Sequence, residues 1–328
     1  MSDSVIEVTA LTKRYGDLEA VRGIDLAVGA AEIFGFLGPN GAGKSTTISI
    51  LCTLLRPTTG SARVAGVDVL QNPGAVRARI GLVFQDPSLD DQLTARENLE
   101  FHAFLYGVQR AVRRQRIDDA LAMVDLTDRA SSQVRTFSGG MRRRLEIARG
   151  ILHYPRVLFL DEPTLGLDPQ TRSRIWEYLH ALRKREQITI FMTTHYMDEA
   201  EFCDRIAIID RGLIVASGTP LELKRNVGGD VVTITADDPP AVAADVRRAF
   251  NLEPVVADGT VRVEVQDSAS FLPRLFSELS APVTAVASRR PSLDDVFLKV
   301  TGHAIRDESA GQLDALRQFG AAWRGRRR

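Results

Sequence analysis

The sequence predicts an α/β fold, a largely parallel sheet with helices on its faces, followed by a smaller α+β unit. Three observations predict it. Short apolar runs alternate with helical patterns over the first two thirds of the chain. A glycine-rich turn at residues 38–45 joins one such run to a helix. After about residue 225 the pattern changes to short strands and two helices in the order βαββαβ.

The strand candidates are residues 5–9, 32–37, 80–84, 157–160, 188–193 and 206–209. Several are apolar at nearly every position, as expected of strands buried on both faces. Helical patterns at 44–55, 95–106, 113–124, 140–153 and 169–183 separate them. The stretch 86–134 holds two helical patterns and no good strand, so a helical insertion is expected over about 86–155. Val227-Gly228-Gly229-Asp230 reads as a junction. Beyond it come a strand at 231–235, a helix at 240–250, strands at 254–257 and 260–265 around Asp258-Gly259, a helix at 270–279 and a strand at 283–288. An Asp-Gly pair between two β-rich runs is a hairpin signal, and the βαββαβ order suggests a ferredoxin-like domain. A last helix begins near Ser292, with Asp295 completing an imperfect capping box. Its apolar face, Leu293, Val296, Phe297 and Val300, is expected to cover the small domain. The expected organisation is 1–225, 226–302 and a flexible basic tail at 303–328.

Of 328 residues, 42 are Lys or Arg and 42 are Asp or Glu, so the formal net charge is zero. That argues against a nonspecific nucleic-acid coat, and no nucleic-acid partner is expected. Hydrophobic residues make up 44%, enough for a sizeable core. The longest apolar runs last a few residues, against the roughly 20 a spanning helix needs. Met1-Ser2-Asp3-Ser4 lacks the layout of a signal peptide. Cys52 and Cys203 are far apart and suggest neither a disulfide framework nor a zinc site, which fits a reducing cytosol.

Three segments carry chemistry. Gly38-Pro39-Asn40-Gly41-Ala42-Gly43-Lys44-Ser45, followed by Thr46, fits the phosphate-loop pattern between a strand and a helix. Its backbone N–H groups would wrap a phosphate chain at a helix N-terminus. Lys44 would reach the β- and γ-phosphates, and Ser45 would ligate Mg2+. The apolar run 157–160 ends in Asp161 and Glu162, which puts two acids at the sheet edge. Asp161 would hold the Mg2+, and Glu162 would take a proton from an attacking water. Ser138, Gly139 and Gly140 open another helix and make a second anion-binding N-terminus. Since Lys44's loop already occupies one nucleotide, this end is expected to cap a nucleotide held by another copy. The arginines Arg142, Arg143 and Arg144 that follow point in different directions on a helix and are expected to be solvated or salt-bridged.

Phe137-Ser138-Gly139-Gly140-Met141, together with the phosphate loop and the acid pair, resembles the signature of ATP-binding cassette (ABC) ATPases, usually written Leu-Ser-Gly-Gly-Gln. This chain departs at Phe137 and Met141. The resemblance covers about residues 5–225. It implies a RecA-like core with an antiparallel β subdomain and a helical subdomain. It further implies that Tyr15 stacks on the adenine of ATP and that Gln85 touches Mg2+ and the attacking water. Leu165-Gly166-Leu167-Asp168 would communicate across a dimer through Asp168, and His195 would contact the γ-phosphate.

Three longer segments look like the daunorubicin-resistance ATPase subfamily: residues 138–145, residues 194–200, and Arg290-Pro291-Ser292-Leu293-Asp294-Asp295-Val296-Phe297-Leu298. That resemblance implies an ATPase that pairs head to tail with a second copy. It would bind a multispanning membrane permease at the cytoplasmic face of the membrane and power efflux of drug-like or lipophilic cargo. An importer, or a lipid or polysaccharide exporter, would share the cassette motifs. A soluble factor acting on ribosomes or DNA usually carries two cassettes or a long coiled-coil arm, and this chain has neither. The βαββαβ unit is also compatible with a small-molecule sensor.

Overall fold

Runs that are apolar at every position become the inner strands of one sheet, and alternating runs become sheets with one covered face. The protein is described from a computed structural model that covers residues 4–84, 88–257, 259–279 and 281–301. Gln85, Asp258 and the tail 303–328 therefore lie outside the described residues.

In chain order, a long hairpin, β1 (Ser4–Tyr15) and β2 (Leu18–Gly29), leads into β3 (Ile33–Leu37) and helix α1 (Lys44–Leu51). Next come β4 (Thr59–Val64), β5 (Val67–Asp68), the short helix α2 (Pro73–Arg77) and β6 (Ile80–Val83). Three helices follow: α3 (Ala95–Leu105), α4 (Arg110–Met123) and α5 (Gly139–Ile151). Then β7 (Val157–Asp161), α6 (Pro169–Glu186), β8 (Thr189–Thr194), α7 (Met197–Ala200), β9 (Arg205–Asp210), β10 (Leu213–Gly218) and α8 (Pro220–Val227) complete the first part. The second part runs β11 (Asp230–Thr235), α9 (Pro239–Phe250), β12 (Val255–Ala257), β13 (Thr260–Val265), α10 (Ser268–Glu278), β14 (Ala285–Arg289) and α11 (Leu293–Thr301).

The central sheet has the order β10-β9-β3-β8-β7-β6. It is parallel except for β10, which pairs antiparallel with β9. Every residue of β3, β7 and β8 is buried. One face packs on an antiparallel sheet of order β2-β1-β4-β5 through Ile6, Leu11, Phe34, Phe36 and Phe191. The other face packs on α6, α7 and α8 through Leu158, Leu160, Trp176, Leu179 and Leu223. Helices α3, α4 and α5 share a separate core around Leu99, Ile117, Leu121 and Leu145, which is the helical insertion.

Of the antiparallel sheet β2-β1-β4-β5, the pattern shows only part of β1, residues 5–9; the sheet itself is implied by the family resemblance. Its strands are half-exposed and polar on one face, and β1 carries several register shifts, so no clean alternation survives in the sequence.

The four strands after residue 229 form an antiparallel sheet of order β12-β13-β11-β14. That is the ferredoxin-like arrangement expected from the βαββαβ order. Ala257 pairs with Thr260, so β12 and β13 are joined as an antiparallel hairpin. Asp238 caps α9 ahead of Pro239, and Asp267 caps α10, so both helices start a residue or two before the periodicity suggests.

One expectation fails here. Helix α11 does not cover the small domain. Leu293, Val296 and Phe297 are each about 1% exposed and join the core of the first part, beside Met197, Ala200 and Leu223. The chain thus leaves the first part, builds the small domain, and returns to pack on α7 and α8. The capping box is real: Ser292 N–H donates to Asp295 Oδ2 at 2.8 Å, and Asp295 N–H donates to Ser292 Oγ at 3.3 Å. Arg289 adds a two-pronged contact to the same carboxylate, 2.8 and 3.1 Å.

Candidate functional site

The site sits at the carboxyl ends of β3, β7 and β8, where ligands bind in open α/β sheets. After β3 the chain turns through residues 38–43 and enters α1 with no side-chain cap, so its first N–H groups face outward. Gly43 is left-handed at φ 109°, and a Cβ there would come within 2.5 Å of the Ala20 carbonyl. Only glycine lets the loop bend this tightly against the hairpin. Lys44 folds back under the loop and is 4% exposed. Its Nζ donates to the carbonyls of Gly38 at 2.7 Å and Pro39 at 3.1 Å.

Glu162 follows β7 in a left-handed conformation at φ 46°, uncommon for a residue with a side chain. Its Oε1 lies 3.6 Å from Lys44 Nζ and 3.2 Å from His195 Nδ1. Burial works to raise the pKa of this carboxyl. The hydrogen bond from His195 and the Lys44 charge outweigh it and hold Glu162 below its ordinary value. Burial lowers the pKa of the Lys44 ammonium, against the opposing pull of Glu162 and Asp161.

These groups line a cavity of about 550 Å³ with Pro39, Asn40, Gly41, Gly43, Ser45 and Thr46. Tyr15 stands at its mouth, half-exposed, with Lys13 Nζ 5.1 Å from the ring centroid. Leu165 and Tyr196 complete the wall. Asp161 lies buried beneath, its carboxylate accepting from the Thr193 hydroxyl at 2.5 Å.

Ser138, Gly139, Gly140 and Asp168 do not line this cavity. Ser138 caps α5, its Oγ accepting from Met141 N–H at 3.3 Å, and Ser138 and Gly139 are exposed. Gly140 packs on α6, where a Cβ would meet Thr171 Cγ2 at 2.4 Å. Thr171 in turn donates from N–H (3.0 Å) and Oγ1 (2.7 Å) to Asp168, the cap of α6. Those bonds hold the exposed Asp168 carboxyl below its usual pKa. The signature start and the Asp168 loop therefore form one exposed surface, apart from the Lys44 cavity of the same chain. Gln85 lies outside the described residues, immediately after Phe84.

Sequence reasoning missed four supports of this site. Thr193 and Thr194 are buried hydroxyls at the end of a fully buried strand, next to the acid and histidine loops. Thr193 Oγ1 also accepts from Glu162 N–H at 3.1 Å. Glu199, 1% exposed, accepts from Thr194 at 2.8 Å and from Thr164, bracing both acid and histidine loops. The signal was present: two threonines and an acid where the pattern calls for apolar residues. The fourth is Arg143, expected to be solvated or salt-bridged: it is salt-bridged, to Glu146, but buried at 7% exposed and bonded to the backbone at the ends of β6 and β7. Arg142 and Arg144 do behave as expected, pairing with Asp91 and Asp125.

A family model described as ABC transporter matches residues 21–165. One described as the C-terminal domain of DrrA1-3-like ATP-binding proteins matches residues 218–301. The chain is 41% identical over 323 residues to the daunorubicin resistance ATP-binding protein DrrA2 of Streptomyces coeruleorubidus, spanning 94% of this chain and 99% of that one. It is 42% identical to the daunorubicin/doxorubicin resistance ATP-binding protein DrrA of Streptomyces peucetius, over 93% and 94% of the two chains. It is 39% identical to the Nod factor export ATP-binding protein I of Ralstonia nicotianae, over 93% and 96%. Among solved structures it is similar to CbiO1 of Clostridium perfringens, part of an ABC transporter complex (TM-score 0.64, 30% identity, 68% of this chain and 91% of that one). A dimeric post-hydrolysis cassette bound to ADP and Pi is also similar (TM-score 0.59, 29% identity, 65% and 98%).

Proposed function

The chain belongs to the ATP-binding subunits of ABC transporters, and from that premise we propose that two copies close head to tail around two ATP molecules to drive efflux of drug-like or lipophilic cargo through a separate membrane permease. It is an ATPase, the ATP-binding and hydrolysing subunit of an ABC exporter. The observation that carries the head-to-tail reading is the separation of two half-sites. Lys44, Glu162 and His195 converge on one cavity, while Ser138, Gly139 and Asp168 stand exposed outside it.

The residues would act as follows. N–H groups of Gly41, Gly43, Lys44 and Ser45 and the Lys44 ammonium cradle the phosphates. Tyr15 stacks on the adenine at the cavity mouth. Mg2+ fits the donors present: one exposed hydroxyl, Ser45, and one carboxylate, Asp161, with Gln85 as a further candidate, suit an ion that keeps waters and phosphate oxygens as its other ligands. When bound it would neutralise charge on the β- and γ-phosphates. Glu162, kept ionised by His195 and Lys44, takes the proton from the attacking water. His195 orients Glu162 and faces the γ-phosphate. The second copy supplies Ser138–Gly140 to the same nucleotide, so ATP touches both chains and favours the closed pair, and hydrolysis removes that preference.

Among the described residues no helix is long and apolar enough to cross a membrane. Phe101, Phe104, Leu105 and Tyr106 are exposed at the end of α3, which supports docking of the permease on the helical insertion from the cytoplasmic side. The match of residues 218–301 to the DrrA-like C-terminal domain supports drug-like cargo over import.

The test uses Glu162→Gln. It should bind ATP with unchanged affinity, elute as an ATP-dependent dimer, and lose nearly all turnover. A variant that hydrolyses at the wild-type rate removes Glu162 as the base. A monomer at saturating ATP, in a protein that binds ATP, removes the head-to-tail pairing.

A further inference from the structure

Arg143 is the buried centre of a set of contacts that no phosphate or partner requires. It projects from α5, one turn after Ser138, and points inward between the ends of β6 and β7. Its Nε donates to the Pro163 carbonyl at 2.8 Å, and Nη2 donates to the Asp161 carbonyl at 3.0 Å. Its Nη1 donates to the Phe84 carbonyl at 2.5 Å and to Glu146 Oε2 at 3.1 Å. Four of the five guanidinium N–H groups are therefore engaged in one rigid plane.

The two carbonyls from Asp161 and Pro163 flank Glu162 on either side. Glu162 itself is left-handed, and a non-glycine residue stays in that region only when its surroundings over-determine it. The Glu162 N–H is taken by Thr193 Oγ1 and its carboxylate by His195. The Arg143 fork fixes the peptide before Glu162, through the Asp161 carbonyl, and the 163–164 peptide one residue beyond it, through the Pro163 carbonyl. No other side chain is hydrogen-bonded to both flanking carbonyls among the described residues.

The fork is itself held. Glu146, 1% exposed, is its buried counter-charge, and Glu146 Oε1 accepts from Ser88 N–H at 2.8 Å. One turn further along α5, Arg149 donates to the Ser88 carbonyl at 3.0 Å and hydroxyl at 2.6 Å. One face of α5 thus carries Arg143, Glu146 and Arg149 as a buried charged ladder, spaced three residues apart. The same helix presents Ser138 and Gly139 to solvent at its start.

We propose that Arg143 is a positioning residue for Glu162: its guanidinium fork sets the backbone that aims the base, and it ties that backbone to the helix whose exposed start meets the second nucleotide. A shift or tilt of α5 would carry the two carbonyls flanking Glu162 with it. The proposal rests on Glu162 as the base, and the experiment keeps the two claims apart.

The experiment is a double-mutant cycle between Arg143 and Glu162 in the full chain, read as steady-state and single-turnover ATP hydrolysis. Arg143→Lys keeps the charge beside Glu146 but replaces the planar fork by a point donor. It should lower kcat by roughly 10-fold or more with the ATP KM within about twofold, the pattern of a lost transition-state contribution. In the Glu162→Gln background the same change should cost nothing further. Arg144→Lys, on the side of α5 that contacts the Val124 carbonyl and Tyr178 and touches neither flanking carbonyl, should stay near wild type.

Loss by the same factor in both backgrounds, or a rise in KM with kcat intact, overturns the positioning role. Full activity in Glu162→Gln alone overturns the base assignment instead. Should Arg143→Lys lack a cooperative melting transition, Arg143→Gln, with one amide donor and no charge, is taken through the same cycle. If neither variant folds, Arg143 is a folding residue and the proposal is overturned.

Discussion

Lys44 Nζ and Glu162 Oε1 stand 3.6 Å apart, both largely out of water, in the lining of one cavity. Each group tunes the other: the ammonium favours the carboxylate, and the carboxylate opposes the lowering of the ammonium's pKa by burial. Lys44→Met removes the charge and keeps the packing of the stem. It should weaken ATP binding at least about 10-fold, because a buried cation facing the phosphates is lost. Titration with a fluorescent ATP analogue measures this. Unchanged affinity would show that the loop N–H groups alone hold the phosphates.

The pH dependence has a definite sign. Glu162 has a folded pKa below its unfolded value of about 4.3. Its ionisation therefore stabilises the fold fully above that unfolded value, and the contribution is lost as pH falls through the folded value. As a base it is competent above the same folded value. The kcat/KM profile should show no acid limb from Glu162 above about pH 4.3. His195→Ala removes the largest lowering contact and leaves burial opposed by Lys44 alone, so the acid limb should move upward. Profiles taken from about pH 4.5 to 7 on both proteins decide it. Superimposable acid limbs would mean His195 does not hold the Glu162 proton off.

Gly140 and Thr171 set the spacing between the two exposed elements of the site. A methyl at 140 would lie 2.4 Å from Thr171 Cγ2. Gly140→Ala must tilt α5 or turn Thr171 away from Asp168, and either costs about 1–3 kcal/mol as an overpacked contact. Turnover should fall while ATP binding to Lys44's loop persists, because that cavity does not include Gly140. Thr171→Ser in the same chain removes Cγ2 but keeps the hydroxyl that bonds Asp168, and should restore turnover. Failure of the serine to rescue would place the defect at the helix start itself.

What the sequence made legible follows from how each signal is encoded. Residues 38–45, Asp161, Glu162 and His195 sit at ends of fully buried strands, and a run such as Val157–Asp161 announces its own end. The exposure of Ser138 and Gly139 was foreseeable because a helix N-terminus needs polar partners. Arg143 was not. Three arginines in a row carry no periodicity, and which one turns inward depends on where β6 and β7 end, a property of tertiary packing. The destination of α11 was equally hidden: an amphipathic face states that something covers it and not what. The residues that answer it, Met197, Ala200 and Leu223, are roughly 70 to 100 positions away in sequence.

The return of α11 makes a prediction that separates two architectures. If the small domain were an independent appendage, a truncation in its last helix would unfold only that domain. Phe297 is instead buried against α7 and α8, and α7 begins two residues after His195. Phe297→Ala should therefore destabilise the first part of the chain by about 3–5 kcal/mol, the usual cost of removing a core phenylalanine. Because Met197 and Ala200 share that core, the loosening should reach the His195 loop and lower kcat at temperatures where the chain is still folded. Urea unfolding followed by Trp176, which lies in the same core, measures the first effect, and ATPase assays on the folded variant measure the second. An unfolding midpoint at Trp176 equal to that of the wild type would return α11 to the small domain and leave the His195 loop independent of it.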